Sequence, residues 1–219
     1  MIDWRHIRSV FLDMDGTLLD LHFDNHFWRE HVPLRYAERH ALALETAKAD
    51  LYPRFRRMEG TLEWYCVDYW SRELGLDIAA LKRELDHLIA VHEHAVDFLD
   101  AVRRAGKRVV LVTNAHNKSL ALKLERTRLG GHFDALFCAH DFGLPKERVG
   151  FWEQLQGRER FDPARTLLVD DSLPVLKAAR DYGIAHLLCV RRPDTRAPVR
   201  EVDEFPAIHS FREIMPASV

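Results

Sequence analysis

The stretch Ser9-Val10-Phe11-Leu12-Asp13-Met14-Asp15-Gly16-Thr17 decides how this chain folds and where its chemistry lies. Ser9 to Leu12 is a short, mainly apolar run and reads as a buried strand. Two carboxylates, Asp13 and Asp15, follow at i and i+2, a spacing that puts both on one side of an extended backbone. A glycine and a hydroxyl come next, where the strand is expected to end. Like charges this close repel, so one is driven to hold a proton unless a cation sits between them. The pattern suits a metal-assisted nucleophile beside an acid–base group.

Four more runs share this texture: Val109 to Val112, Ala135 to Cys138, Thr166 to Val169 and Ala185 to Val190. They are rich in Val, Leu and Phe, as strands covered on both faces are. Amphipathic helices lie between them. Phe98, Ala101, Val102 and Ala105 fall at i, i+3, i+4 and i+7 before the stop at Gly106. Val175, Ala178, Ala179 and Tyr182 repeat the pattern, with Ser172 as the expected N-cap and Gly183 as the stop. Strand and helix in alternation predict an α/β fold with a Rossmann-like open parallel sheet.

From about Leu21 to Val91 the texture changes and no strand-like run occurs. Leu62, Cys66, Tyr69 and Trp70 share one helical face; Ile78, Leu81, Leu85, Leu88 and Ile89 make another stripe, entered by Asp77 as a cap. Pro33 and Pro53 are expected to bound or kink a helix. The expected division is an α/β core of residues 1–19 and 93–219 with an all-helical insertion of 20–92. The tail after Arg191, with Pro193, Pro198, Pro206 and Pro216, reads as an irregular strap over the sheet.

The 219 residues suffice for one domain and a sizeable insertion, and 47% hydrophobic with 30% charged residues is ordinary for a soluble globular protein. A net charge of −2 gives no electrostatic case for a nucleic acid polymer or an acidic membrane. No run is long and apolar enough to span a bilayer, and the N-terminus has no apolar signal core. Cys66, Cys138 and Cys189 are scattered and odd in number, so buried, reduced cysteines in a cytoplasmic protein are expected. With no obvious apolar seam, a monomer is the default.

Three of the strands end in polar groups: Asp13 and Asp15 after the first, Thr113-Asn114 after the second, Asp170-Asp171 after the fourth. Thr-Asn or Asp-Asp alone is ordinary turn chemistry. Together, after three apolar runs, they predict a site at the carboxyl edge of the sheet, where parallel α/β folds bind ligands. Four carboxylates cannot converge undressed. A hard divalent cation with oxygen ligands relieves them, and Mg²⁺ is the natural choice. Zinc is disfavoured, because no His or Cys stands in the right places.

Asp13-Met14-Asp15-Gly16-Thr17-Leu18, Thr113-Asn114, Lys146 and Asp170-Asp171 come in the order and rough spacing of the haloacid dehalogenase superfamily, which the chain resembles from its first strand to its fifth. The resemblance implies that fold with a type-one helical cap between the first two motifs. It implies that Asp13 attacks phosphorus to form an aspartyl phosphate, and that Asp15 protonates the leaving oxygen and then activates water. Thr113 and Asn114 would hold phosphate oxygens and Lys146 would neutralise charge. Asp13, Asp170, Asp171 and the backbone carbonyl of Asp15 would hold Mg²⁺. Asp15 itself argues against carbon–halogen chemistry, since the superfamily's dehalogenases lack that carboxylate.

Asp20 to Trp28, Leu62 to Trp70 and Thr113-Asn114-Ala115-His116 further resemble the bacterial GMP/IMP-type purine 5′-nucleotidases, over nearly the whole chain. This implies a small-molecule phosphate ester, a purine nucleoside monophosphate, as substrate. A purine needs a flat apolar wall, for which Trp28, Trp64, Tyr65 and Trp70 are the candidates; of these Trp70, with Tyr69 on the apolar stripe, reads as cap core. His22, His26 and His116 receive no role; His92 and His94 read as surface groups, as do Arg191 and Arg192. The cluster Arg54, Arg56 and Arg57 is solvated unless the cap turns it inward. A phosphatase for sugar phosphates or phosphoglycolate, a phosphomutase and a non-catalytic binding protein are the competing readings.

Overall fold

In the computed structural model, which describes residues 2–217, the apolar runs form five strands: β1 (Ser9–Leu12), β2 (Arg108–Thr113), β3 (Ala135–Cys138), β4 (Thr166–Asp170) and β5 (His186–Val190). A sixth, β6 (Ala207–Ile208), lies in the tail. The sheet is parallel throughout, in the order β3-β2-β1-β4-β5-β6. Leu12 stands opposite both Leu111 and Val169. Asp13, Thr113 and Asp170 therefore leave the sheet within about a residue of one level. The connections diverge to either side of β1, which puts a crevice at its carboxyl end.

Alternation along β1 shows both faces covered. Val10 and Leu12 join one cluster with Phe98, Val102 and Leu167; Phe11 joins another with Val112, Trp152, Leu155 and Leu176. None of the four β1 residues is more than 6% exposed, which is why the run carries no solvent-facing alternation.

Helices in chain order are α1 (His22–His26), α2 (Val32–His40), α3 (Leu44–Met58), α4 (Leu62–Tyr65), α5 (Val67–Leu74), α6 (Ile78–Glu84), α7 (Ala95–Arg104), α8 (Asn117–Thr127), α9 (Val149–Arg158) and α10 (Leu173–Tyr182). Those from α1 to α6 stand between β1 and β2 and pack a core of their own: Phe27, Val32, Leu51, Phe55, Val67, Trp70, Leu74 and Ile78. The chain leaves and returns side by side. Asp20 N donates to Ala90 O at 2.9 Å, and His92 N to Leu18 O at 2.9 Å.

A π-helical turn, Phe27–His31, joins α1 to α2. Pro33 has no N–H for Arg29 O, and the Tyr52 hydroxyl donates to that carbonyl instead at 2.8 Å. Such turns widen a helix and often stand at functional sites.

Several local expectations need correction. The face Leu62–Trp70 is not one helix. Cys66 is extended, with φ −84° and ψ 109°, and its Sγ accepts from Tyr69 N to cap α5. Pro53 bounds nothing and lies inside α3. Asp77 does cap α6, accepting from Ala80 N at 2.9 Å. Ser172 occupies the N-cap position of α10 without a side-chain bond; its N–H instead holds Asp170 Oδ1. Cys138 and Cys189 are buried, while Cys66 is only half-buried; all three are free. His92 is not a plain surface group, since Nε2 lies 3.1 Å from Pro193 O.

The tail is more than a strap. It adds β6 to the sheet and stacks Phe211 on Phe98 at 4.8 Å. Pro193 O accepts from Leu21 N at 2.8 Å, and Asp194 Oδ2 from Asn25 Nδ2 at 2.7 Å, so the tail holds the start of the inserted helices.

Candidate active site

The strand β1 ends at Leu12, although Asp13 N still reaches Val169 O at 3.0 Å. The chain then turns around Met14, whose carbonyl faces the N–H groups of Thr17, Leu18 and Leu19. The tight turn, and not strand alternation, places the two carboxylates, and it does not leave them on one side as expected: Asp13 joins Asp170 and Asp171, whereas Asp15 goes to Lys123. Gly16 makes that turn possible. Its φ is +82°, and a Cβ there would stand 2.8 Å from Asp171 Cγ and 2.9 Å from Pro193 Cβ.

Asp13, Asp170 and Asp171 converge, with one carboxylate oxygen of each within 4.8 Å of the others. Lys146, 1% exposed, brings its ammonium between two of them. Nζ is 2.5 Å from Asp13 Oδ1, 2.7 Å from Asp170 Oδ2 and 3.0 Å from Val112 O. Burial pushes the Asp13 carboxyl up to about 7 against the pull of Lys146. Burial, then Asp170 and Asp13, hold Asp171 well above the ordinary carboxylate range. Lys146 is raised, because the two carboxylates outweigh the cost of its burial. Three carboxylates face one buried ammonium; among the described residues the exposed Arg200, 3.7 Å from Asp171 Oδ2, is the one other cation paired with them. An excess of negative charge on an all-oxygen donor set fits a hard divalent cation.

Thr113 and Asn114 are buried beside this group. Thr113 Oγ1 accepts from Ala115 N at 3.0 Å, which leaves its hydroxyl proton free to donate. Asn114 is fixed at both ends of its amide. Oδ1 accepts from Lys146 N at 2.9 Å, and Nδ2 donates to Glu147 Oε2 at 2.9 Å. Glu147 in turn accepts from the Tyr65 hydroxyl of α4 at 2.6 Å. Sequence reasoning missed this bridge from the inserted helices to the phosphate-site candidates.

Asp15 faces the other way. It lines a cavity of about 590 Å³ between the inserted helices and the sheet, within the range of small-molecule sites. Trp28 and Trp64 line it, with Tyr52, Phe55, Arg56, His116 and Lys123 among the rest. The two indoles are 5.9 Å apart and 31° from parallel, too close for a base to slip between; they present a shared wall. Trp70 is 1% exposed and belongs to the cap core. Of the arginine cluster, Arg56 turns into the cavity, while Arg54 bonds Asp50 and Glu73 O.

Beneath Asp15 is a second group that the sequence did not reveal. Lys123 of α8 places Nζ 2.7 Å from Asp15 Oδ1 and 2.6 Å from Asp24 Oδ2. Lys82 of α6 places Nζ 2.8 Å from Asp24 Oδ1. Burial raises Asp15 to about 6, against Lys123. Asp24 is held below its ordinary value although burial pushes it up, because two ammonium groups flank it. A signal existed: Lys82 stands four residues after Ile78, and Lys123 three after Leu120, so both cations sit on apolar helical stripes.

Comparison with known proteins agrees with this geometry. Residues 7–183 match the family model described as haloacid dehalogenase-like hydrolase. The chain is 38% identical over 216 residues to the GMP/IMP nucleotidase YrfG of Escherichia coli, covering 99% of this chain and 97% of that one. Among solved structures, a HAD phosphatase from Thermococcus onnurineus superposes with a TM-score of 0.78 at 19% identity, covering 95% and 96% of the two chains. The magnesium-bound HAD hydrolase YfnB of Bacillus subtilis does so with a TM-score of 0.64 at 19% identity, covering 95% and 96%. With that match across most of its length, and with its carboxylates gathered at the carboxyl edge of a parallel sheet, this chain belongs to the haloacid dehalogenase-like hydrolases.

Proposed function

We propose that the protein is a Mg²⁺-dependent phosphomonoesterase that works through an aspartyl phosphate and releases phosphate from purine nucleoside 5′-monophosphates of the GMP/IMP type. The observation that carries this reading is the position of Asp15, between the carboxylate cluster on one side and the cavity on the other. A phosphoryl group beside Asp13 would put its leaving oxygen at Asp15 and its organic part among Trp28, Trp64 and Arg56.

In the first step an Asp13 oxygen bonds to phosphorus as the bond to the leaving oxygen breaks, and Asp15 gives that oxygen its proton. In the second, water attacks phosphorus, Asp15 takes the water's proton, and the bond to Asp13 breaks to free phosphate. Lys146 keeps Asp13 oriented and balances charge on the transferring group; Thr113 and Asn114 donate to its oxygens. Asp13, Asp170, Asp171 and the Asp15 carbonyl would hold Mg²⁺, whose charge lowers the cost of bringing a phosphate dianion to carboxylates. Positioning on this scale supplies roughly 7–11 kcal/mol of barrier reduction. Acid–base help adds about 10²–10⁴-fold.

Residues 20–92 act as a cap that excludes water from the first step. The nucleotide preference rests on the likeness to the GMP/IMP nucleotidase, and the aromatic wall supports it. Three free cysteines are in keeping with a cytoplasmic home; no described helix is long and apolar enough to cross a membrane. A monomer is the working state.

Phosphate release from GMP, IMP, AMP, pyrimidine nucleotides, sugar phosphates and phosphoglycolate, with Mg²⁺ and with chelator, tests the reading. GMP and IMP ahead, and only with Mg²⁺, is the expected result. A sugar phosphate far ahead of the nucleotides would reject the substrate assignment.

A further inference from the structure

Two buried lysines have no part in the mechanism above: Lys123 is ion-paired with Asp15 directly, and Lys82 is linked to it through Asp24 and Lys123. Lys123 and Lys82 are 1% and 3% exposed. Isolated, neither ammonium would be tolerated there. Each is held by Asp24, and Lys123 by Asp15 as well. Aromatic faces complete the cradle. Phe27 lies 4.5 Å from Lys82 Nζ, and Phe23 lies 5.0 Å from Lys82 and 5.3 Å from Lys123.

The chain crosses the boundary between the two parts of the molecule. Asp24 and Lys82 belong to the inserted helices α1 and α6, whereas Lys123 belongs to α8, just after β2. Asp15 hangs from the turn after β1. Its carboxylate is thus gripped by a cation whose own position is set by the cap.

We propose that Lys123 is the positioning residue for Asp15, holding its carboxyl against the cavity where the leaving oxygen must lie, and that Asp24 ties this grip to the cap. A carboxylate on a two-bond side chain has several rotamers, and a general acid must sit within hydrogen-bond reach of the oxygen it serves. Lys123 selects the rotamer. Asp24 and Lys82 keep Lys123 neutralised when Asp15 gives up or takes a proton. This rests on the acid–base role assigned to Asp15 above.

The test uses the dependence on leaving group. A nucleoside 5′-monophosphate leaves as an alkoxide and needs a proton; p-nitrophenyl phosphate leaves as an anion stable near neutral pH and does not. In kcat/KM only the first step counts, so the water-activating step, common to all substrates, drops out. The ratio of the two kcat/KM values is also independent of how much of a variant is folded.

In Lys123→Met, kcat/KM for the best nucleotide should fall about 10²-fold or more, the worth of a general acid, and that for p-nitrophenyl phosphate by less than about tenfold. Asp24→Asn should show the same bias in weaker form. Equal losses on both substrates would mean that Lys123 only supports the fold, and would overturn the inference. So would an unchanged ratio in Asp24→Asn for its cap half. Asp15→Asn is the reference. If it shows no bias, the acid role falls and this inference with it; if it does and Lys123→Met does not, only the inference falls. Should nucleotides prove poor substrates, the best sugar phosphate serves as the alkyl ester, and the substrate reading fails separately.

Discussion

The two buried charge clusters on either side of Met14 use the same residue types and reach opposite balances. On the sheet side, Asp13, Asp170 and Asp171 share one buried lysine, Lys146. On the cap side, Asp15 and Asp24 share two, Lys82 and Lys123. The first is short of positive charge and the second is complete. The difference teaches where a cation is needed: the sheet-side group is stable only with protons or a metal, whereas the cap-side group is neutral and closes on its own.

The largest effect should come from Asp13→Asn. An amide cannot take the phosphoryl group, so turnover should drop about 10⁴-fold or more, as it does when a covalent nucleophile is lost. The same change relieves a surplus of negative charge, so the thermal midpoint in chelator should not fall. Full activity in this variant would refute the nucleophile.

Next comes Lys82→Met. A methionine fits the aromatic cradle but leaves Asp15 and Asp24 with one ammonium between them. Breaking a buried pair costs about 3–5 kcal/mol, read as a lower midpoint in urea. Asp171→Asn in chelator should be neutral or stabilising, because it removes an unbalanced charge. Similar losses in both variants would erase the contrast between the clusters.

Magnesium and pH probe the sheet-side group further. Asp13 is raised from 3.8 to about 7 and Asp171 well above 3.8, so the native state keeps protons that the unfolded chain has released. From about pH 4 to about 7, stability in chelator should therefore fall as pH rises, by roughly 1.4 kcal/mol per unit for each group still protonated only in the fold. In the cap-side group Asp15, raised to about 6, adds to the same fall between about pH 4 and 6, whereas Asp24 has the opposite sign. Its lowered value contributes stability above the ordinary carboxylate pKa, lost as pH falls through the lowered one. Mg²⁺ at about a hundred times its Kd should restore about 2.7 kcal/mol. The gain should be greater at neutral than at acid pH, since ligation needs ionised carboxylates. It should vanish in Asp171→Asn and survive in Lys82→Met; denaturation curves with Mg²⁺ and with chelator check both.

What the sequence made legible follows the same divide. The sheet-side residues lie at strand ends, and strands declare themselves by local apolar runs such as Val109 to Val112. Once the runs are placed, the parallel sheet gathers Asp13, Thr113 and Asp170 without further information. The cap-side residues meet across sequence separations of 58 for Asp24 and Lys82 and 99 for Asp24 and Lys123. No local rule pairs them, and a lysine on a helix reads as solvated unless its place on the stripe is weighed. Cys66 was misread for another reason. The period of 3.6 runs through it unbroken, while the backbone does not. β6 is two residues long and gave no run to recognise.

The smallest effect separates the two bridges from cap to core. One runs from Asp24 through Lys123 to Asp15, the other from Tyr65 through Glu147 to Asn114. Tyr65→Phe removes one hydroxyl, and Glu147 keeps its bond from Asn114. The loss is one hydrogen bond to a charged acceptor, about 1.5–3 kcal/mol if wholly expressed and less where water replaces it. In the proposed mechanism Asn114 holds the phosphoryl group, which every substrate shares, and not the leaving oxygen. The expected outcome is a fall in kcat/KM of about tenfold or less, equal for a nucleotide and for p-nitrophenyl phosphate, with inorganic phosphate inhibiting more weakly by a similar factor. A loss confined to the nucleotide would instead place Tyr65 against the organic part of the substrate. The two bridges would then serve the same end of the reaction.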